Sequence, residues 1–418
     1  MIFIPILKLF NEQDAINHVN NLSFKRMAAT DGETKTINYI LKELSKKDVG
    51  LTVESFLWSK TSTKLRKLIF LWIFVFVLCS QILLLRPVIT WIILPLDGLF
   101  LVGLFTMFKL IFDHTRILFL GRRKESRNVI ATINAKDLYP KRPVVIFTAH
   151  HDSVSSNFPM KFFKFLLLSA FLLLLSFLLI NLVLTIWSII ALFPILEINI
   201  IYEIIRTISV IIGIIILTEI FITFFNKKTN QSVGSVDNAS GTAILIELAK
   251  LVKNHPLEKT DVIFLWCGAE EMGIWGSKQY CTKHFEELDH DYDLNKSYNI
   301  NIDMVGSYVG VVDETGLIKK KKLNDNLNDV LEASATKLNV SFKRASMAFG
   351  TGSDHLALRA FTKKAVKKGF QVSCFLSKED SKYIHSKKDT PERCSATNLN
   401  ACIEICYNSI KSLDLRVD

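Results

Sequence analysis

Residues Phe165–Phe193 run for 29 positions without a charged side chain. About 20 apolar residues in a helix cross the hydrocarbon core of a bilayer, so this run constrains the fold more than any other feature. Thr207–Phe225 supplies a return crossing with Glu219 near its end, and Pro194, Glu197, Asn199, Glu203 and Arg206 mark a polar connection between the two. An earlier block repeats the arrangement. Leu68–Leu85 holds 18 uncharged residues, Arg86-Pro87 interrupts it, and Val88–Phe112 runs back. Lys109 can snorkel to the interface, whereas Asp97 is too short to do so and is expected to face another helix. The chain therefore reads as two helical hairpins, four transmembrane helices in all.

An even number of crossings returns every remaining segment to one side. Twelve basic residues flank the hairpins at those ends: Lys60, Lys64, Arg66 and Lys67; Arg116, Arg122, Arg123 and Lys124; Lys161 and Lys164; Lys227 and Lys228. The hairpin tips carry only Arg86 and Arg206. Positive charge is retained in the cytoplasm, so the soluble part is expected there. The mean hydropathy of +0.29 comes from the two blocks, and the rest has the composition of a globular α/β protein. A net charge of +11 suits anionic lipid headgroups beside the hairpins. No helix-turn-helix, zinc-finger or RNA-binding signature accompanies it, which argues against nucleic acid as a partner. Lys319 to Lys322 read as a solvated loop. Seven cysteines, an odd number without a CxxC pair, fit reduced thiols. Met1–Leu7 has neither a basic n-region nor a small-residue cleavage site, and does not read as a signal peptide.

Outside the blocks, short apolar runs alternate with amphipathic helices. Residues 12–48 are expected to be helical, and so is Ser240–Lys253, with Ile244, Leu245, Leu248, Leu251 and Val252 on one face. Pro143–Phe147, Val262–Trp266, Tyr298–Ile302 and Phe370–Leu376 read as buried strands. This alternation predicts an α/β fold with a mostly parallel, mixed central sheet covered by helices on both faces. The expected organisation is the N-terminal part of the soluble domain at 1–66, a first hairpin at 67–115, soluble domain again at 116–160, a second hairpin at 161–226, and the remainder of the soluble domain at 227–418.

Five segments carry the chemistry: Thr148-Ala149-His150-His151-Asp152, Ser235-Val236-Asp237-Asn238-Ala239-Ser240-Gly241, Gly268-Ala269-Glu270-Glu271-Met272-Gly273, Asn301-Ile302-Asp303-Met304 and Ile384-His385-Ser386. Zinc takes imidazole nitrogen and carboxylate oxygen. Two zincs sharing one carboxylate need five protein ligands, the number these segments supply. Each segment follows a strand or lies in a loop beside one, and the crevice outside the carboxyl ends of strands is where open α/β sheets build sites.

Taken in order, the segments resemble the co-catalytic di-zinc aminopeptidases and their relatives, the glutamate carboxypeptidases and glutaminyl cyclases. The matching elements are His150-His151-Asp152, Asp237 to Gly241, Glu270 to Ser277, Asp303, and His385 with Asp389-Thr390. Arg26 to Glu33 is similar to the family's N-terminal helix region. The resemblance implies a zinc exopeptidase fold. By it, His150 and Asp303 hold one zinc, Glu271 and His385 hold the other, and Asp237 bridges the two. It also makes Glu270 the general base and Asp152 the residue that orients an imidazole. Gly352-Ser353-Asp354-His355 is similar to a segment near the substrate cleft, which makes His355 a candidate oxyanion donor. Where several relatives carry a tyrosine, this chain has Ala348-Phe349-Gly350-Thr351. The implied activity is aminopeptidase action on peptides. A carboxypeptidase, a glutaminyl cyclase or a non-enzymatic membrane receptor are the alternatives, and the oligomeric state stays open. His151, beside a ligand on an extended backbone, is expected to be structural.

Overall fold

The computed structural model describes residues 11–193, 198–316, 319–347, 352–367 and 369–417. The readings made on Met1–Leu7, on Pro194 and Glu197 and on Ala348–Thr351 lie outside the described residues. The chain divides into two compact units. One comprises Met1–Thr61, His114–Ser155 and Thr229–Asp418, and the other Ser62–Asp113 and Ser156–Lys228.

The first unit is built on a nine-stranded mixed sheet. Its strands are β1 (Leu51–Trp58), β2 (Lys124–Ile133), β3 (Val144–His150), β4 (Asp261–Cys267), β5 (Tyr298–Ile302), β6 (Val309–Thr315), β7 (Lys321–Lys322), β8 (Phe342–Met347) and β9 (Gln371–Phe375). They lie in the order β1-β2-β4-β3-β5-β9-β6-β8, with β7 paired to β6. The central strands β4, β3, β5 and β9 are mutually parallel. On one side β2 joins antiparallel to β4 and β1 antiparallel to β2; on the other, β6 runs antiparallel to β9. The buried apolar runs thus became the parallel centre, as expected. The edge strands β1 and β8 are partly exposed and polar, so no apolar run announced them, and in β6 the buried run is confined to residues 309–312.

Helices α1 (Asp14–Leu22) and α2 (Asp31–Ser45) replace the helical reading of 12–48, with a loop between them that buries Arg26. The helix Ser240–Asn254, α7 in chain order after the four membrane-grade helices below, departs from the amphipathic expectation because it is buried nearly all round. Strands β3 and β4 cover one side, and α1, α2 and the C-terminal helix Ala396–Asp414 cover the other. Its one buried carboxylate, Glu247, is matched by His18 Nε2 and Lys250 Nζ, each at 2.8 Å.

Both insertions leave and re-enter the first unit at neighbouring points, the condition under which a domain tolerates an insert. The first occupies the turn of the β1–β2 pair, where Trp58 lies opposite Lys124. Thr61 Oγ1 there donates to Leu118 O at 2.6 Å. At the second, Ser155 Oγ lies 2.7 Å from Thr229 Oγ1.

The second unit consists of α3 (Thr61–Leu84), which begins at the last residue of the first unit, α4 (Ile93–Ile111, preceded by a 3-10 turn from Pro87), α5 (Met160–Ile190) and α6 (Ile200–Phe224). All four are long and apolar enough to cross a membrane, with mean hydropathy between 1.9 and 2.7. Their outward side chains are hydrophobic: Phe105 is 72% exposed and Ile200 73%. α6 starts seven residues earlier than expected. Asn199 caps its N-terminus by accepting from the Ile201 and Tyr202 amides, and Glu203 pairs with Arg206 along the helix, so polar residues read as a connection are helical.

Candidate metal centre

Parallel pairing aligns the carboxyl ends of the central strands. His150, the last residue of β3, lies opposite Cys267, the last of β4, while Ile302 ends β5 beside Phe375 of β9. The next residues along β4 and β5 are the loops bearing Glu270-Glu271 and Asp303. Side chains far apart in sequence therefore converge at one sheet edge.

Two clusters result, His150–Asp237–Asp303 and Asp237–Glu271–His385, each with its ligand atoms within 4.8 Å of one another. His150 Nε2 lies 3.1 Å from Asp237 Oδ1 and 3.5 Å from Asp303 Oδ1. His385 Nε2 lies 3.2 Å from Asp237 Oδ2 and 2.9 Å from Glu271 Oε1. Asp237 presents one oxygen to each cluster. Glu270 points toward the His150 side, its Oε2 4.0 Å from Nε2. All five ligand candidates come together, and Glu270 stands beside them.

The carboxylates are held by their surroundings. Asp152 Oδ1 and Oδ2 accept the main-chain N–H groups of Glu270 (3.0 Å) and Glu271 (3.3 Å). His150 Nδ1 sits closer to the Asp152 carbonyl, at 3.1 Å, than to its carboxylate, at 3.6 Å. The carboxylate thus fixes the glutamate loop, and the main chain of the same residue orients the imidazole. Asp389 plays the matching part for the Asp237 segment by accepting from the amides of Val236 (2.7 Å) and Asp237 (3.2 Å). Asn238 donates to Ile302 O at 2.8 Å and accepts from Gly241 N at 2.8 Å, joining the Asp237 segment to the one that ends in Asp303. His151 bonds Arg127 O at 2.9 Å through Nε2, away from the clusters.

Arg26 is fully buried and donates to the carbonyls of His151 (2.9 Å), Leu22 (3.0 Å), Val233 and Gly234. Burial draws its pKa down to about 10, opposed by Asp389, Asp152, Asp237 and Glu271. One guanidinium thereby ties together the two chain segments that the second hairpin separates. In the sequence Arg26 has only a place in a motif, because a buried arginine serving carbonyls leaves no periodic signal.

The charge balance asks for a cation. Burial works against protonating His150 and His385, yet the carboxylates outweigh it. Glu270, Asp152, Asp237 and Asp303 hold His150 well above its ordinary value, and Glu271 and Asp237 hold His385 at about 10. Asp303 Oδ1 is buried with no hydrogen-bond partner. Nitrogen and oxygen donors in this arrangement fit zinc. Glu270 is pushed upward, first by burial and then by Asp354, Glu271 and Asp303, with His150 opposing. Asp354, also buried, rises to about 6 through burial, against His150. His355 opens the short helix His355–Thr362, and burial depresses it to about 3, so its ring is neutral.

The profile of Peptidase family M28 matches residues 223–410. Aminopeptidase YwaD of Bacillus subtilis is 28% identical over 189 residues, 43% of this chain and 38% of the relative. Aminopeptidase NAALADL1 of Mus musculus is 29% identical over 92 residues, 20% of this chain and 12% of the relative. The chain thus matches well under two thirds of the length of either relative. Among solved structures, the aminopeptidase from Aneurinibacillus sp. strain AM-1 superposes with a TM-score of 0.54 at 14% identity, covering 96% of this chain and 93% of that one. The glutaminyl cyclase of an Acidobacteriales bacterium gives 0.52 at 15%, covering 97% and 96%. At such identities the likeness concerns the fold. The zinc-exopeptidase resemblance carried by the motifs is borne out.

Proposed function

We propose, from the match of residues 223–410 to Peptidase family M28, that this protein is a membrane-anchored zinc exopeptidase and, more specifically, an aminopeptidase. The observation that carries the reading is the pair of clusters sharing Asp237 at the carboxyl edge of the parallel strands. His150 and Asp303 would hold one zinc, Glu271 and His385 a second, and Asp237 both. Zinc bound there supplies Lewis acidity, lowering the pKa of water and polarising a carbonyl oxygen.

The chain's own residues do the rest. Glu270 takes the proton from the attacking water and passes it to the departing amine. Burial and the neighbouring carboxylates raise its affinity for a proton, the direction a general base requires. Asp152 keeps Glu270 and Glu271 in register by gripping their amides. A carboxylate at the site, Glu270 or a neighbour, receives the free amine of a peptide substrate. His355, neutral and buried, is the candidate donor to the developing oxyanion. The four apolar helices anchor the enzyme in the bilayer, and the distribution of basic residues puts the catalytic unit on the cytoplasmic side.

The test is to purify the full chain in detergent, measure zinc, and assay aminoacyl amides against a Glu270→Gln variant. We expect two zincs per chain and a loss of roughly 10²–10⁴ in kcat for the variant with zinc content unchanged. Wild-type turnover by the variant would remove Glu270 from the mechanism. A second reading, glutaminyl cyclase, is favoured by the fold likeness to the Acidobacteriales enzyme. A single tightly bound zinc, with release of ammonia from an N-terminal glutamine, would decide for it.

A further inference from the structure

The helical unit carries a polar layer between two apolar ones. In one apolar layer Phe76 stacks on Phe100 with ring centroids 3.9 Å apart and meets Phe177 edge-on at 6.2 Å. In the other, Leu84, Ile93, Leu184 and Tyr202 pack together. Between them lie Ser80 and Gln81 of α3, Asp97 of α4, Asn181 of α5 and Ser209 of α6.

Helix direction puts these residues at one level. α3 and α6 are antiparallel, since Phe70 meets Phe224 while Gln81 Nε2 reaches Ser209 O at 3.4 Å. Side chains three or four positions apart share a helix face, one turn of about 5.4 Å along the axis. One turn on from Phe76 and from Phe177 brings Ser80 and Asn181; one turn back from Phe100 along the returning α4 brings Asp97. Ser209 Oγ donates to Asn181 Oδ1 at 2.7 Å, which closes the layer on the α6 side. Ser80, Asn181 and Ser209 are fully buried and Asp97 is 8% exposed.

Three polar atoms of this layer, Ser80 Oγ, Asp97 Oδ1 and Asn181 Nδ2, have no hydrogen-bond partner. Hydroxyls elsewhere on these helices satisfy themselves on the backbone, as Thr106, Thr207 and Thr218 do on the carbonyl four residues before. Among the described residues Asp97 has no ion-pair partner. Arg206 is engaged by Glu203 and by the Leu84 carbonyl. A lone carboxylate between helices in hydrocarbon costs several kcal/mol unless its charge is balanced. One carboxylate balances one positive charge, whereas divalent sites gather several. Turning the Asn181 amide by half a revolution keeps its bond with Ser209, now with the amide as donor, and presents its carbonyl oxygen to the layer. The donors are then all oxygen, the chemistry of a hard cation.

We propose that the layer between the two apolar clusters is a binding site for a small monovalent cation, sodium, held by Asp97 with Ser80 and Asn181. The site is independent of the peptidase reading. It is tested on full-length protein in detergent, with choline chloride holding the ionic strength constant, by measuring ²²Na⁺ binding and thermal unfolding. Saturable binding of one sodium per chain is expected, unaffected by zinc chelation, lost in Asp97→Asn, and accompanied by a rise in Tm that choline does not give. Ser80→Ala, which keeps the charge, should weaken binding roughly tenfold or more and stands in if Asp97→Asn fails to fold. Absence of saturable binding by the wild-type chain, or undiminished binding by both variants, overturns the proposal. Asp97→Asn with a higher Tm and no sodium effect in either protein would identify a protonated carboxyl hydrated by water instead.

Discussion

Asp152 and Glu270 are 118 residues apart in the chain, yet Asp152 Oδ1 accepts the Glu270 main-chain N–H at 3.0 Å, and its second oxygen takes Glu271 N at 3.3 Å. The carboxylate therefore positions a proposed base and a proposed ligand through their backbones. Asp152→Ala leaves two buried amides without acceptors, each worth about 1–3 kcal/mol. We expect kcat/KM to fall at least a hundredfold and zinc affinity tenfold to a hundredfold, measured by steady-state kinetics and by competition with a chelator. Unchanged zinc affinity would confine Asp152 to the general base alone.

The shared carboxylate predicts unequal effects of ligand removal. Asp237 belongs to both clusters, while Asp303 belongs only to the one with His150. Asp237→Ala should deplete both metals, and Asp303→Ala should leave about one zinc per chain on Glu271 and His385. Zinc content of the purified variants, determined by elemental analysis, checks this. Equal depletion in the two would mean that the metals do not bind separately.

Arg26→Lys is a severe change here despite the conserved charge. A lysine ammonium cannot reach the carbonyls of His151, Leu22, Val233 and Gly234 from one position, as the planar guanidinium does. Losing two bonds from a charged donor costs about 3 kcal/mol or more. For a domain of this size that corresponds to a fall of about 5–10 °C in Tm, read by thermal unfolding. An unchanged Tm would show that the buried arginine does not brace the segments on either side of the second insertion.

Gly241 illustrates what the motif encodes physically. A Cβ at this position would fall on the Ile302 carbonyl oxygen and on Asn238 Oδ1, the two atoms that join the Asp237 and Asp303 segments. Gly241→Ala must push those segments apart. Displacements near 1 Å at a reacting centre cost about a hundredfold in rate, so we expect a loss of that order with the fold retained, separable by comparing kcat with the circular dichroism spectrum.

Much of this architecture was legible in the sequence where burial was total. The expected limits of β5 are the observed ones and those of β4 and β9 differ by one residue at each end, because buried parallel strands are unbroken apolar runs, whereas β3 runs three residues past its expected end, to His150. The segments of His150, Glu270-Glu271 and Asp303 are legible because each ends or follows such a strand, whereas Asp237 and His385 follow none and stand out only by the order of the motifs. The half-exposed strand β1 escaped because its pairing, not its composition, makes it a strand, and β6 because its buried run, residues 309–312, is short. The Asp389 and Asp152 bonds escaped for a related reason: they end on backbone amides, which no side-chain pattern reports.

Topology gives the last prediction. Twelve basic residues stand at the hairpin ends joined to the first unit and two at the tips; each ionised side chain resists translocation, and hence the catalytic unit is expected in the cytoplasm. Single cysteines introduced at Lys227 and at Arg86 report the two sides. The native thiols interfere little, since six of the seven are buried in the fold and Cys79 lies within α3. In intact cells a membrane-impermeant maleimide should label Arg86→Cys and spare Lys227→Cys until the cells are permeabilised. The reverse pattern would place the site outside the cytoplasm, where its peptides would be extracellular or lumenal and the unpaired cysteines would face an oxidising medium. Labelling of both in intact cells would mean that the helices do not cross the bilayer in pairs.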